Sequence, residues 1–225
     1  MKKHKEMLTM GAEFEHGYFE TRFSFSKDRE RLWPVLVAYL QRKYIPKDAI
    51  ILDLGAGYCH FINYVQAKEK HALDISPIIL KYAAADVITH VCSCTEMTEL
   101  ADSYFDVVFA SNLFEHLERS AFWQALKEVR RVLKNGGKLI VIQPNFRLCY
   151  KSYFDDYTHI QVFTDKSLVD ALESVGFKVT TVVPGFLPFS VKSRLPKNPL
   201  LLKIYLRLPF RPFAGQMLVV AENRK

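Results

Sequence analysis

The sequence predicts an α/β fold in which a parallel sheet carries helices on both faces. Two observations lead there. From Ile50 to Phe177, short branched apolar runs alternate with longer stretches of helical periodicity. Strands buried on both faces read as such continuous runs, and parallel neighbours need helical crossovers between them. A Gly-x-Gly turn, Gly55-Ala56-Gly57, directly follows the first run, where a strand must turn sharply into a helix.

In chain order, residues 1–45 hold one long helical pattern, Asp28 to Tyr44, read as an N-terminal helical extension and lid. Ile50–Leu54, Ala72–Asp74, Val107–Ser111 and Leu139–Gln143 read as buried strands. The clearest helix spans 118–134. It places Ala121, Phe122, Ala125, Val129, Val132 and Leu133 on one face and Lys127, Glu128, Arg130 and Arg131 on another. Asn135-Gly136-Gly137 is expected to cap its end. Residues 184–215 hold six of the ten prolines, which excludes a continuous helix or an interior strand. This segment reads as a cap inserted before a last strand, Gln216–Ala221. Inside it Leu200, Leu201, Ile204 and Leu208 would share one helical face beside Lys203 and Arg207. That face is expected to pack on the protein's own sheet, with a membrane surface or a second subunit as the alternatives. Residues 1–225 read as a single domain.

Hydrophobic residues make up 49% and charged residues 24% of the 225 positions, which excludes wholesale disorder. Lysine and arginine exceed the acids, 31 to 24. This excess reads as a solvated basic face, and no nucleic-acid partner is expected because no aromatic-basic interleaving is present. Cys59, Cys92, Cys94 and Cys149 are too scattered for a disulfide framework or a zinc site, as expected of reduced thiols in a cytoplasmic protein. The basic N-terminus is not read as a signal peptide, and residues 199–210 are too short to span a bilayer.

Chemistry concentrates at Asp53-Leu54-Gly55-Ala56-Gly57. Two glycines let the backbone approach a ligand, and the following helix start offers unpaired N–H donors. A dinucleotide site needs a third glycine three residues on, where His60 stands, and the acid Asp53 would repel phosphate. Asp74 closes the second strand 21 residues after Asp53, the place for a carboxylate that accepts from ribose hydroxyls. A cationic nucleoside without phosphates satisfies both facts, and S-adenosylmethionine is one.

Four blocks, LDLGAGYCHF (52–61), HALDIS (71–76), FDVVFASNLFEHL (105–117) and EVRRVLKNGGKLIVIQPN (128–145), make the sequence resemble class I S-adenosylmethionine-dependent methyltransferases. The resemblance implies a Rossmann-like, doubly wound sheet of seven strands in the order 3-2-1-4-5-7-6 with an antiparallel last strand. It implies that Asp53, Gly55, Ala56 and Gly57 line the amino-acid part of the cofactor. Asp74, with Ile75 beside it, would hold the ribose, and Ser111 and Asn112 would face the methyl. Ser93, Cys94 and Thr95 stand where family members place an acid for the adenine amine, so hydroxyls and backbone N–H groups would take its place. Arg22, after Tyr18 and Phe19, would pair with the methionine carboxylate. GYFETRF (17–23), residues 154–168 and RLPFRPFAGQMLVVA look like a bacterial subgroup linked to sugar or envelope-polymer modification.

The stretch Ser111-Asn112-Leu113-Phe114 is not the proline turn that goes with base-amine methylation. No cysteine follows a proline, as cytosine C5 chemistry would need. A small-molecule or glycan hydroxyl is therefore the expected acceptor, and His159, oriented by Asp156, its expected general base, with His116 next. Glu115-His116 resembles pairs that go with a divalent metal in ubiquinone-pathway O-methyltransferases, but Asn112 stands where a further acid belongs, and no metal is expected. An NAD(P)-linked oxidoreductase and a non-enzymatic S-adenosylmethionine-binding protein are the alternative readings.

Overall fold

The computed structural model describes residues 25–188 and 197–225. Seven strands form one sheet: β1 (Ile50–Leu54), β2 (Glu69–Asp74), β3 (Val87–Val91), β4 (Phe105–Ser111), β5 (Leu133–Pro144), β6 (Phe177–Pro188) and β7 (Ala214–Asn223). Their order is β3-β2-β1-β4-β5-β7-β6, as the resemblance implied. Pairings among β1 to β5 are parallel, and β7 runs antiparallel between β5 and β6. The order reverses between β1 and β4, where Asp53 lies level with Phe109, and in open α/β sheets the crevice that takes a ligand lies beyond the C-terminal strand ends at such a reversal.

Every residue of β1 is buried, because both faces of the sheet are covered. Leu52 and Leu54 meet Phe122, Ala125, Leu126 and Val129 of α5 (Arg119–Val132, following α1 to α4) on one side. Ile51 joins Leu36, Val37 and Leu40 of the helix Trp33–Tyr44 and Phe61 and Ile62 of the helix His60–Tyr64 on the other. The earlier helices are α1 (Lys27–Glu30), α2 (Trp33–Tyr44), α3 (His60–Tyr64) and α4 (Ile79–Tyr82); α6 (Phe146–Cys149), α7 (Asp165–Ser174) and α8 (Pro199–Tyr205) follow α5. Single 3-10 turns lie at Phe114–His116 and Tyr153–Asp155.

The structure corrects four expectations. The helix expected from Asp28 to Tyr44 is two helices, because Pro34 has no N–H to donate and sits only in the first turn of α2. Asn135-Gly136-Gly137 does not cap α5, which ends at Val132; it lies in β5, where Phe105 pairs with Leu133 and Val107 with Lys138. The four intervening residues bulge out, and Gly136 takes φ +76°. Two strands escaped the pattern, β3 because it is a half-exposed edge and β6 because it carries Pro184 and Pro188. An edge strand accepts those prolines. Finally, Leu200, Leu201, Ile204 and Leu208 do not pack on the sheet but are exposed, while Leu202 and Leu206 turn inward to the core around α2. Apolar residues surround α8, so periodicity alone could not choose the inward face. Residues 1–24, with Tyr18, Phe19 and Arg22, lie outside the described residues, as does the part of the 184–215 insertion at 189–196.

Candidate active site

The crevice is floored by the turn after β1. Gly55 at φ +72° and Gly57 at φ +49° occupy the left-handed region that favours glycine. A Cβ on Gly55 would stand 2.9 Å from a methyl of Leu113, so this glycine is also demanded by space. The turn is fastened to β2 by main-chain bonds, the Gly55 and Ala56 N–H groups donating to the Leu73 carbonyl at 2.8 and 3.0 Å. Asp74 completes the cradle. Its Oδ2 accepts from the Gly57 N–H at 2.8 Å and its Oδ1 from the Ser76 N–H at 2.9 Å. Each carboxylate oxygen keeps lone pairs beyond these bonds, enough for a pair of ribose hydroxyls. Burial raises the pKa of Asp74, opposed by the N–H bonds it accepts. Asp53 is buried behind the turn, and burial pushes its pKa well above the usual carboxylate range.

His60, in place of the third glycine of a dinucleotide site, is buried among Phe25, Trp33 and Tyr58 with ring centroids 5.7–6.1 Å away. Ile75, beside Asp74, is an exposed apolar side chain suited to an aromatic ring. After β3, the Ser93 and Thr95 hydroxyls stand 2.7 Å apart, and Ser93 Oγ also accepts from the Thr95 N–H. Cys94 is buried, its thiol pushed up to about 11 by desolvation. At the end of β4, Asn112 adopts φ +51°, which asparagine tolerates better than most residues. Its side-chain oxygen accepts from Gln216 Nε2 of β7 at 2.7 Å, and its Nδ2 donates to Ser111 Oγ. The cradle thus offers what S-adenosylmethionine requires: close backbone approach and a carboxylate for hydroxyls.

The opposite wall is built from two distant segments. The Ile160 and Gln161 N–H groups both donate to the Glu115 carbonyl, at 3.0 and 3.1 Å, which lays the loop after β5 on the 3-10 turn after β4. His116 and His159 are thereby brought together with ring centroids 5.0 Å apart. His159 is buried, and its Nδ1 lies 2.7 Å from the Tyr153 carbonyl. A carbonyl only accepts, so Nδ1 carries the proton and Nε2 is left as the basic nitrogen of the neutral ring. His116 Nδ1 similarly faces the Thr158 carbonyl at 3.1 Å and the Thr158 hydroxyl at 3.0 Å. Asp156 Oδ1 accepts from both the N–H and the hydroxyl of Thr158, so its side chain reaches His116 through Thr158. Burial, then the neighbouring His159, lowers the pKa of His116 to about 4.

Two buried polar residues lie outside the expected set. Glu115 is 1% exposed, and neither carboxylate oxygen has a hydrogen-bond partner among the described residues. Burial pushes its pKa up to about 8. Gln143, near the end of β5, is equally buried, and its amide atoms have no hydrogen-bond partner among the described residues. A polar residue closing an otherwise apolar interior strand was the available signal for Gln143; the burial of Glu115 had none in the local sequence. Among the described residues, Glu115, His116 and His159 could hold a metal ion, their ligand atoms lying within 4.8 Å of one another.

Comparisons with known proteins agree with this geometry. Residues 52–141 match the family described as methyltransferase domain. The chain is 33% identical over 134 residues to an uncharacterised protein of Methanocaldococcus jannaschii, the match covering 59% of this chain and 56% of that one. It is 28% identical over 113 residues to the malonyl-[acyl-carrier protein] O-methyltransferase of Herminiimonas arsenicoxydans, covering 48% and 42%. The chain thus spans about half the length of the curated relatives it matches. In fold it is similar to the Burkholderia thailandensis 1,6-didemethyltoxoflavin-N1-methyltransferase, solved with bound 1,6-didemethyltoxoflavin and S-adenosylhomocysteine. That likeness has a TM-score of 0.62 at 15% identity and covers 99% of this chain and 90% of the other. Residues 52–141 of the chain match the methyltransferase-domain family, and the seven-stranded fold is the one shared with solved S-adenosylmethionine-dependent methyltransferases.

Proposed function

We propose that the protein transfers the methyl group of S-adenosylmethionine to an oxygen of a small-molecule or glycan-type acceptor, with His159 as general base. The observation that carries the base assignment is the 2.7 Å contact of His159 Nδ1 with the Tyr153 carbonyl, which puts the proton on Nδ1 and makes Nε2 the basic nitrogen. Bound S-adenosylmethionine supplies a methyl group on a sulfonium, which leaves as a neutral thioether. The chain's own part is positional: the 53–57 turn and Asp74 fix the donor, and Ser111 and Asn112 border the path between donor and acceptor. As the acceptor oxygen bonds to the methyl carbon and the carbon–sulfur bond breaks, the hydroxyl proton passes to His159 Nε2. Alignment contributes much of the acceleration, and base assistance typically adds about 10²–10⁴-fold.

The O-methyltransferase among the curated relatives supports oxygen as the acceptor atom, and no base-amine turn follows β4. His60, buried where a pyrophosphate would need a glycine, disfavours an NAD(P)-linked oxidoreductase. The assay is production of S-adenosylhomocysteine from S-adenosylmethionine with a panel of phenolic, enolic and sugar hydroxyl acceptors. Methylation confined to amines or carboxylates would overturn the hydroxyl reading. Cofactor binding with no turnover on any acceptor would favour a non-enzymatic binding protein.

A further inference from the structure

Residues 174–221 contain seven lysines and arginines and no aspartate or glutamate, a surplus equal to the whole formal net charge of +7. This one-signed stretch is also where large apolar side chains stand in solvent. On α8 and the turn that continues it, the outward face reads Lys203, Arg207, Leu200, Ile204 and Leu201 in order around the helix. A basic stripe thus lies alongside an apolar one. Leu202 and Leu206 anchor the opposite side to the core. Farther along, Phe210 and Phe213 are 78% and 79% exposed, and Phe213 is held at φ +59°. Single exposed apolar residues are ordinary on a protein surface. A contiguous apolar face edged by exposed positive charge, with two exposed phenylalanines beyond it, is not.

We propose that this face binds an anionic membrane surface, α8 lying in the plane of the interface. Leu200, Leu201, Ile204 and the two phenylalanines would enter the boundary of the acyl chains, while Lys203, Arg207 and Lys197 meet lipid phosphates. Charge sign selects this occupant. A second copy of the chain would bring the same basic stripe against itself, whereas an anionic bilayer complements it. No helix among the described residues is long and apolar enough to cross a membrane, so attachment here is peripheral and reversible. The proposal is independent of the reaction above and needs no acceptor to test.

The full chain should co-sediment with vesicles of phosphatidylcholine and phosphatidylglycerol, less with phosphatidylcholine alone, and be released by salt. Leu200→Ser/Leu201→Ser/Ile204→Ser and, separately, Lys203→Glu/Arg207→Glu should each lower partitioning roughly tenfold or more. All five side chains are exposed, so both variants should keep the parent's melting temperature. Absence of co-sedimentation at low salt would overturn the proposal, as would binding by both variants as strong as the parent's. A concentration-dependent dimer abolished by the triple serine variant, without vesicle binding, would assign the face to a second copy instead.

Discussion

The two walls of the crevice are made in different ways. The cofactor wall is local: a five-residue turn, two residues with positive φ and one carboxylate, tied together by main-chain N–H groups within a span of 24 residues. The acceptor wall is non-local. It is assembled where the Glu115 carbonyl accepts from two N–H groups some 45 residues away and His116 meets Thr158. Glu115 and His159 are buried there, and among the described residues neither Glu115 carboxylate oxygen has a hydrogen-bond partner. The first wall is a rigid cradle satisfied by its own backbone; the second carries the desolvated polar groups that acid–base chemistry requires.

If that contrast is right, the largest catalytic loss comes from the acceptor wall. His159→Ala should keep cofactor affinity and lower turnover by at least ~10²-fold once an acceptor is in hand. Near-normal turnover would reduce the histidine to a packing role. Asp74→Ala should act on the other wall, losing charge-assisted bonds worth roughly 1.5–3 kcal/mol each. Calorimetry with S-adenosylhomocysteine should then show affinity lower by about tenfold or more. Because Asp74 also holds Gly57 and Ser76, the melting temperature should fall as well. Asp74→Asn, which keeps one acceptor oxygen, should be milder in both respects.

This contrast also explains what the sequence could reveal. Asp53, Gly55, Gly57 and Asp74 are legible because strand ends and a glycine turn carry their own pattern over a few residues. His116 and His159 could be named one by one, but their meeting could not, since no local rule joins residues 43 apart. The Asp156 reading shows the same limit: the carboxylate binds Thr158, whose hydroxyl reaches His116, a link visible only once both segments are in place. The edge strands β3 and β6 were lost to exposure and proline, whereas the central strands were plain from their apolar runs.

A smaller effect is expected at Gly55. Gly55→Ala must take φ +72° and displace Leu113. The cost should be about 1–3 kcal/mol, seen as a melting temperature lower by roughly 2–4 °C for each kcal/mol. An unchanged melting temperature would mean that the turn can relax.

The smallest effect is a pH slope. Folded Glu115 keeps its proton up to pH about 8 but would ordinarily lose it near 4.5. Its contribution to stability is complete below pH 4.5 and falls as pH rises toward 8. His116 works oppositely: ordinarily protonated below pH 6.5 but in the fold only below about 4, it favours folding above 6.5 and loses that contribution as pH drops. The two slopes offset each other from about 4.5 to 6.5, leaving a decline from 6.5 to 8 of at most about 1.4 kcal/mol per pH unit. Denaturant unfolding of Glu115→Gln should show this decline flattened. A slope as steep as the parent's would place the titrating group elsewhere.

The packing of Leu113 on Gly55 joins the two walls at one point. Leu113 lies two residues before Glu115 and three before His116, so any ligand that shifts the glycine turn works against the segment presenting the histidine. Occupancy on one side then changes the free energy of occupancy on the other, and thermodynamic reciprocity makes the effect equal in both directions. Donor and acceptor would not bind as independent guests. The order in which they arrive, and the ease with which the spent donor leaves, would be governed through a single leucine side chain.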